Sequence, residues 1–387
     1  MPTAASRPTG LRGPYAYENW KLAASGTQSN GASECPLFTD AHITGELSSG
    51  YGPYQFFNTV PAGPPGDLKP AIVLRMGYYL HEDPSDLQMD ETTTERYHGG
   101  SLRDELAALL SLSLGIRLKA GGSTRRFEPN GDPRGRPHAW EFHDNPVLLR
   151  SMGRGPTLPY THRTHSMNDD RLLATLPRLS PEAANALVRA ARRYQDGIWL
   201  AESEPHLSWI ILVSAVESAA DHWRDESDSP VDRLMDSFPE LVSILRESGG
   251  EALVAETAQY LSNRIGATKM FADFLGTFIP PPPPVRPPDW AQISWNPQDL
   301  RRSFRKIYHW RSRALHEGTP FPLPMCVQPM RFDEVYAEKP IGLAAAAMGG
   351  VWLADDVPML LHTFEYIVRS ALQRWWQSIA GSNGPRT

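Results

Sequence analysis

From residue 181 onward the chain reads as almost wholly helical, its apolar side chains recurring at three- and four-residue spacings. Ser180-Pro181-Glu182 reads as an N-cap with proline at the first helical position. The pattern that follows predicts helices near 181–201, 206–224, 230–247, 250–277, 297–317 and 356–379. In the last of these Leu360, Leu361, Phe364, Ile367, Val368, Ala371, Leu372 and Trp375 form one stripe. Ahead of the helical region Ala71-Ile72-Val73-Leu74-Arg75-Met76 is strand-like. Ser101 to Leu114 reads as a helix with Ser101 as N-cap and Glu105 near its first turn, and Gly115 to Lys119 alternates like a short strand. Residues 1–60 are rich in Gly, Ser, Thr and Pro but carry Tyr15, Tyr17, Trp20, Tyr51, Tyr54, Phe56 and Phe57, which predicts a loosely structured arm docked by its aromatics. The expected architecture is mainly α: the arm (1–60), a small α+β domain (61–175) and a C-terminal helical domain (176–387).

Composition narrows the chemistry. The 387 residues are 41% hydrophobic, enough for a folded core, and carry a net charge of −6, which argues against wholesale coating of nucleic acid. Any RNA contact must come from a local basic patch. The lysines are only Lys21, Lys69, Lys119, Lys269, Lys306 and Lys339, so positive charge is mostly arginine, suited to bidentate contacts with carboxylate or phosphate. Cys35 and Cys326 cannot build a disulfide framework or a four-cysteine zinc site, so the reducing cytoplasm is expected. Met1 to Tyr15 lacks an apolar core for a secretory signal, and the longest apolar run, Leu207 to Val216, is too short to span a bilayer.

Three motifs have bland readings that are favoured. Lys119-Ala120-Gly121-Gly122-Ser123-Thr124-Arg125-Arg126 could offer amides to a phosphate, but it lacks the ending of a P-loop and reads as a solvated turn. His162, His165, Asp169 and Asp170 fit no standard metal-ligand spacing. Pro280 to Pro284, followed by Arg286-Pro287-Pro288, forces polyproline II geometry and reads as a stiff connector, with recognition by an aromatic groove as the alternative.

The helix predicted from 297 is different. Leu300, Phe304, Ile307, Ala314 and Leu315 make its apolar stripe, and Arg311 occupies the position between Ile307 and Ala314. The run also holds the densest basic cluster in the chain: Arg301, Arg302, Arg305, Lys306, Arg311 and Arg313, with no acid between Asp299 and Glu317. His316 shares a flank with His309 and Ser312, and Gly318 with Pro320 marks the helix end. In the helix from His206, Glu217 interrupts the stripe of Ile210, Val213 and Ala220 as Arg311 interrupts its own. Two opposite charges on two core-facing stripes predict a Glu217–Arg311 ion pair, since either alone would carry a penalty of several kcal/mol.

Arg311-Ser312-Arg313-Ala314-Leu315-His316 resembles the Arg-x4-His motif of HEPN-domain ribonucleases, and Tyr308-x2-Arg311-x4-His316-x-Gly318 resembles its wider form in ApeA-like HEPN proteins. The helix bearing Glu217 is similar to the acidic helix of that fold, and the resemblance covers about 181–380. It implies a C-terminal HEPN-like helical bundle and a metal-independent endoribonuclease with no cofactor, of the kind found in toxin and anti-phage systems. His316 would be general acid or base, Arg311 would stabilise the phosphorane, Glu217 would orient Arg311, and Ser312 would contact phosphate, although active members often carry Asn, Asp or His at that position. RNA would lie along Arg301, Arg302, Arg305, Lys306, Tyr308 and Arg313. A homodimer completing a composite site is implied as well, with the N-terminal region as a sensor open to a regulatory partner. The alternative is a non-catalytic HEPN module binding RNA or a protein.

Overall fold

The computed structural model describes residues 11–60, 66–80, 92, 94–129, 133–139, 145–149, 155–223, 229–261 and 266–382. The fold is mixed α+β, in two compact units: Met1–Ala215 with Leu372–Thr387, and Val216–Ala371.

The first unit corrects the reading of residues 1–60. In place of a loose arm they supply α1 (Tyr15–Ala24), β1 (Ala32–Thr39), β2 (His42–Thr44), β3 (Glu46–Leu47) and β4 (Tyr54–Asn58). With β5 (Lys69–Gly77) and, after α2 (Leu102–Leu114), β6 (Lys119–Ala120), β7 (Arg125–Phe127) and β8 (Arg136–Pro137), strands β1, β3 and β4 build a sheet ordered β3-β4-β5-β1-β7-β8 with β6 also on β1, while β2 pairs in parallel with β9 (Thr164–Ser166). β1 is thus central, and its alternation buries Ser33, Cys35, Leu37 and Thr39. The aromatics are core: Tyr17, Trp20, Tyr54 and Phe56 are buried, and Trp20 meets Tyr54 edge-on at 5.6 Å. Fully buried Glu105 on α2 accepts the Tyr15 and Ala16 amides at 3.0 and 2.5 Å, taking up donors that the start of α1 leaves unpaired. Asn19 is satisfied on both sides, donating to Tyr54 Oη and the Gly77 carbonyl and accepting from the Tyr79 amide.

The strand expected over Gly115–Lys119 shrinks to β6. Gly115 takes the left-handed cap of α2 at φ +71°, and the next backbone groups are taken by helices: Ile116 N–H by Ser111, and the Leu118 carbonyl by Gln195 of α3 (Pro181–Leu200). These contacts also move the expected boundary. α3 and the start of α4 (Pro205–Trp223) belong with the sheet, so the chain enters the second unit at 216 rather than near 175.

At the centre of the first unit Arg117 is buried. It donates through Nε to the Ile198 carbonyl (2.9 Å), through Nη1 to Asp40 (2.7 Å) and through Nη2 to Glu202. Glu202 in turn accepts the Thr157 and Leu158 amides. Burial lowers the pKa of nearby His162. The Gly121 and Thr124 amides donate to the β1 carbonyls of Pro36 and Glu34, so the glycine-rich turn spends them on the sheet. Asp170 accepts from Ser113 and from the Leu172 and Leu173 amides, while His165 meets the Tyr160 carbonyl.

The second unit continues α4 and adds α5 (Pro230–Ser237), α6 (Pro239–Leu261), α7 (Ala267–Thr277), α8 (Pro297–His316) and the first half of α9 (Leu361–Ser382). The helix expected over 230–247 breaks at Phe238, because a residue preceding proline is driven out of the α region. The expected gap before 250 is a kink at Gly250, φ +69°, inside α6. Aromatic contacts join α7 to its neighbours: Trp223 meets Phe274 and Phe278, each at 5.8 Å, and Phe271 meets Tyr308 at 5.3 Å. The proline run is held by Tyr366 Oη on the Pro281 carbonyl and by Arg286 on Glu338 (2.6 Å). Between α8 and α9 lie two hairpins, β10 (Arg331–Phe332) with β11 (Val335–Tyr336), and β12 (Ala344–Ala347) with β13 (Gly350–Leu353). No helix among the described residues is long and apolar enough to cross a membrane.

His362, in the first turn of α9, is buried and donates through Nε2 to the Ala337 carbonyl at 2.7 Å. Burial pushes its pKa down to about 4 from 6.5. The unfolded chain therefore binds a proton that the folded one refuses, and stability is lost as pH falls from about 6.5 to 4. The loss should approach about 3 kcal/mol. Urea midpoints measured across this window should fall less steeply for His362→Gln than for the parent, which parallel slopes would contradict.

Candidate functional site

α8 begins as its sequence dictates, with the Asn296 side chain accepting the Gln298 amide at 2.9 Å and Pro297 at the first helical position. Its inward face buries Leu300, Phe304, Ile307 and Tyr308. Arg311 follows on that face, opposite Glu217 of α4, and the expected pair is present: Arg311 Nη2 donates to Glu217 Oε2 at 2.7 Å. The other carboxylate oxygen accepts Tyr308 Oη at 2.8 Å, and the guanidinium lies 5.4 Å from the Tyr308 ring centroid. Burial, and then the charge of Glu217, raises the Tyr308 pKa, keeping its proton on the hydrogen bond. The pair is not sealed, since the side chains of Arg311 and Glu217 are 19% and 22% exposed. Arg311 Nε is buried and makes no hydrogen bond among the described residues.

Tyr308 is therefore corrected from an RNA contact to a second donor on Glu217, with its ring packed on Phe271. The signal was available, since Tyr308 and Arg311 are three residues apart and share a helix face.

His316 is the last residue of α8 and is exposed. Gly318, with φ +69°, ends the helix as expected, and the Thr319 amide returns to the Arg313 carbonyl. Five residues of α-helix rotate a side chain by about 140°, so Arg311 turns toward α4 while His316 turns toward solvent. His309 lies two turns before His316 on the same exposed flank, and Ser312 is half-buried between the two directions. Leu315, counted in the apolar stripe, is 49% exposed, because the stripe has rotated away from the core by the last turn.

The basic cluster is less free than its sequence suggests. Arg301 pairs with Asp273 of α7 at 2.9 Å, Arg302 with Asp299 at 3.5 Å, Lys306 with Asp356 at 3.3 Å and Arg313 with Glu317 at 2.8 Å. Arg313 also lies over Trp310. Arg305 is exposed. Opposed carboxylates shorten the reach of this field, so a polyanion must compete with exposed ion pairs that are individually weak.

No protein-family model, curated protein or solved structure matches the chain.

Proposed function

We propose that the helical unit carries a HEPN-type endoribonuclease site. The observation that supports this reading is the Glu217–Arg311 pair with Tyr308 as second donor: a guanidinium fixed in direction and partly open to solvent. Such a group is poised to donate to the non-bridging oxygens of a phosphodiester as charge builds on them. In the proposed reaction the RNA 2′-hydroxyl attacks the adjacent phosphorus and loses its proton to a base. The bond to the 5′ oxygen breaks, and that oxygen takes a proton. The products are a 2′,3′-cyclic phosphate and a 5′-hydroxyl. His316 supplies or removes one of these protons, Arg311 stabilises the phosphorane, Glu217 holds Arg311, and Ser312 contacts the phosphate. Because Arg311 and His316 point apart on one helix, the reading requires the motifs of two copies to face each other. By analogy with toxin and anti-phage systems, the N-terminal unit is assigned to sensing.

The test is incubation of the full chain with a mixed single-stranded RNA in a chelator. Cleavage ending in 2′,3′-cyclic phosphate is expected, and its absence overturns the nuclease reading. The second reading, a binding-only module, is favoured by the same angular separation of Arg311 and His316 within one copy. It predicts RNA retention that weakens steeply with salt and no cleavage.

A further inference from the structure

The outer face of the sheet carries a hollow that its register builds. β1 buries Ser33 and Cys35 on the inner side, so Ala32 and Glu34 face the other way. Ala32 lies between Gly77 of β5 and Phe127 of β7, and Glu34 lies between Arg75 and Arg125 of the same two strands, with Gln55 of β4 beyond Arg75. Opposite residues on neighbouring strands share a face. One row is therefore a floor of two small residues ending in a phenyl ring, and the next row is polar. Above this floor is a cavity of about 330 Å³, lined by Phe127, Tyr79, Pro53 and Pro129 together with Arg75 and Gln55. That volume falls within the about 300–1,000 Å³ of small-molecule sites. The glycine at 77 is not required by its backbone, which has no positive φ. A Cβ there would stand 3.2 Å from the Tyr79 ring and 3.6 Å from Pro53, so its absence lets the ring lie against the strand as a wall.

Arg75 is the polar centre of the hollow. Its Nε and Nη2 both meet Glu34, at 2.9 and 2.7 Å, and its guanidinium carbon stands 4.4 Å from the Phe127 ring centroid. An arginine held from two sides needs little further ordering to receive a ligand. Its charge is not cancelled. Arg125 also approaches Glu34, at 3.6 Å, so two guanidiniums share one carboxylate, while Glu128 on the rim pairs with Arg126. The Arg75 side chain is 38% exposed. Gln55 Nε2 donates to the Ser48 carbonyl at 3.3 Å, which turns its oxygen into the acceptor on offer. We infer that the hollow binds a small anion bearing a planar ring. The acid group takes a charge-assisted hydrogen bond from Arg75, the ring packs against Tyr79 and the two prolines, and Gln55 accepts from a ring N–H or a hydroxyl. A nucleoside monophosphate and an aromatic carboxylate share this chemistry. Every lining residue belongs to the first unit, so the inference stands apart from the nuclease reading.

Isothermal titration calorimetry of the full chain with adenosine monophosphate and with benzoate tests the site and separates the two sources. At least one should bind with a dissociation constant below about a millimolar. Its uncharged counterpart, adenosine or benzamide, should bind at least about tenfold more weakly, because it lacks the group that meets Arg75. Arg75→Gln should weaken the anion at least about tenfold. Ala32→Leu fills the floor while leaving every ion pair in place, and it should do the same, which keeps the test decisive if the arginine variant melts early. Failure of both probes to bind overturns the inference, as does binding that survives both substitutions or that does not distinguish the anion from its uncharged counterpart.

Discussion

Replacing His316 by alanine is expected to reduce RNA cleavage by ~10²–10⁴-fold, the usual range for removing a positioned general acid or base. The fold should not notice. His316 is exposed at the last position of α8, and the termination there depends on Gly318 at φ +69° and on the Glu317 and Thr319 amides closing on Arg313, none of which involves the imidazole. His309→Ala is the matched control, because that ring occupies the same exposed flank two turns earlier, and its rate should stay within about twofold of the parent. Initial rates on a fluorophore-labelled RNA, with melting curves in parallel, separate the two positions. Full activity in the His316 variant would remove the proton-transfer role from this residue and the motif with it.

The largest effect on stability is expected at Arg117. Substitution by methionine preserves much of the side-chain volume but leaves Asp40 and Glu202 buried without their cation. Breaking a buried pair from one side costs about 3–5 kcal/mol, a large fraction of the about 5–15 kcal/mol that holds a typical domain together. Glu202 keeps the amides of Thr157 and Leu158, so the greater liability is Asp40, whose Oδ1 has no hydrogen-bond partner among the described residues. Adding Asp40→Asn to Arg117→Met should therefore recover a substantial part of the loss. Urea denaturation of both variants checks the pattern, and a single-variant loss below about 1 kcal/mol would show that the network contributes little.

The helical pairing was legible because interruptions are conspicuous: an Arg and a Glu each stood alone in an apolar stripe, and the two met. The cap at Ser180-Pro181 was equally readable, since it needs only local chemistry. Residues 1–60 were misread for a reason that lies in β1. Pro36 sits within a central strand, where proline normally argues against one. Its carbonyl accepts Gly121 N–H, so its nitrogen faces the turn between β6 and β7, where no ladder bond is required of it. That accommodation depends on a neighbour more than eighty residues away in the chain. The neutralised basic cluster was hidden in the same way: Asp273 and Asp356 come from either side of α8 in sequence and meet it only in the fold. Local charge counts saw the arginines and missed their partners.

The first unit takes its last helical segment from the far end of the chain. Trp375 and Trp376, both fully buried, and Gln373, which donates to the Leu112 and Ser113 carbonyls, lie beyond residue 371. Synthesis runs from the N-terminus, and most multidomain chains complete their domains in that order. Here the sheet is made first and finished last: it waits without its tryptophans until all of 216–371 has left the ribosome. The helical unit is thus the first that can close, and the N-terminal half spends the interval as a nascent chain with an open core, the stage at which a chaperone would find it.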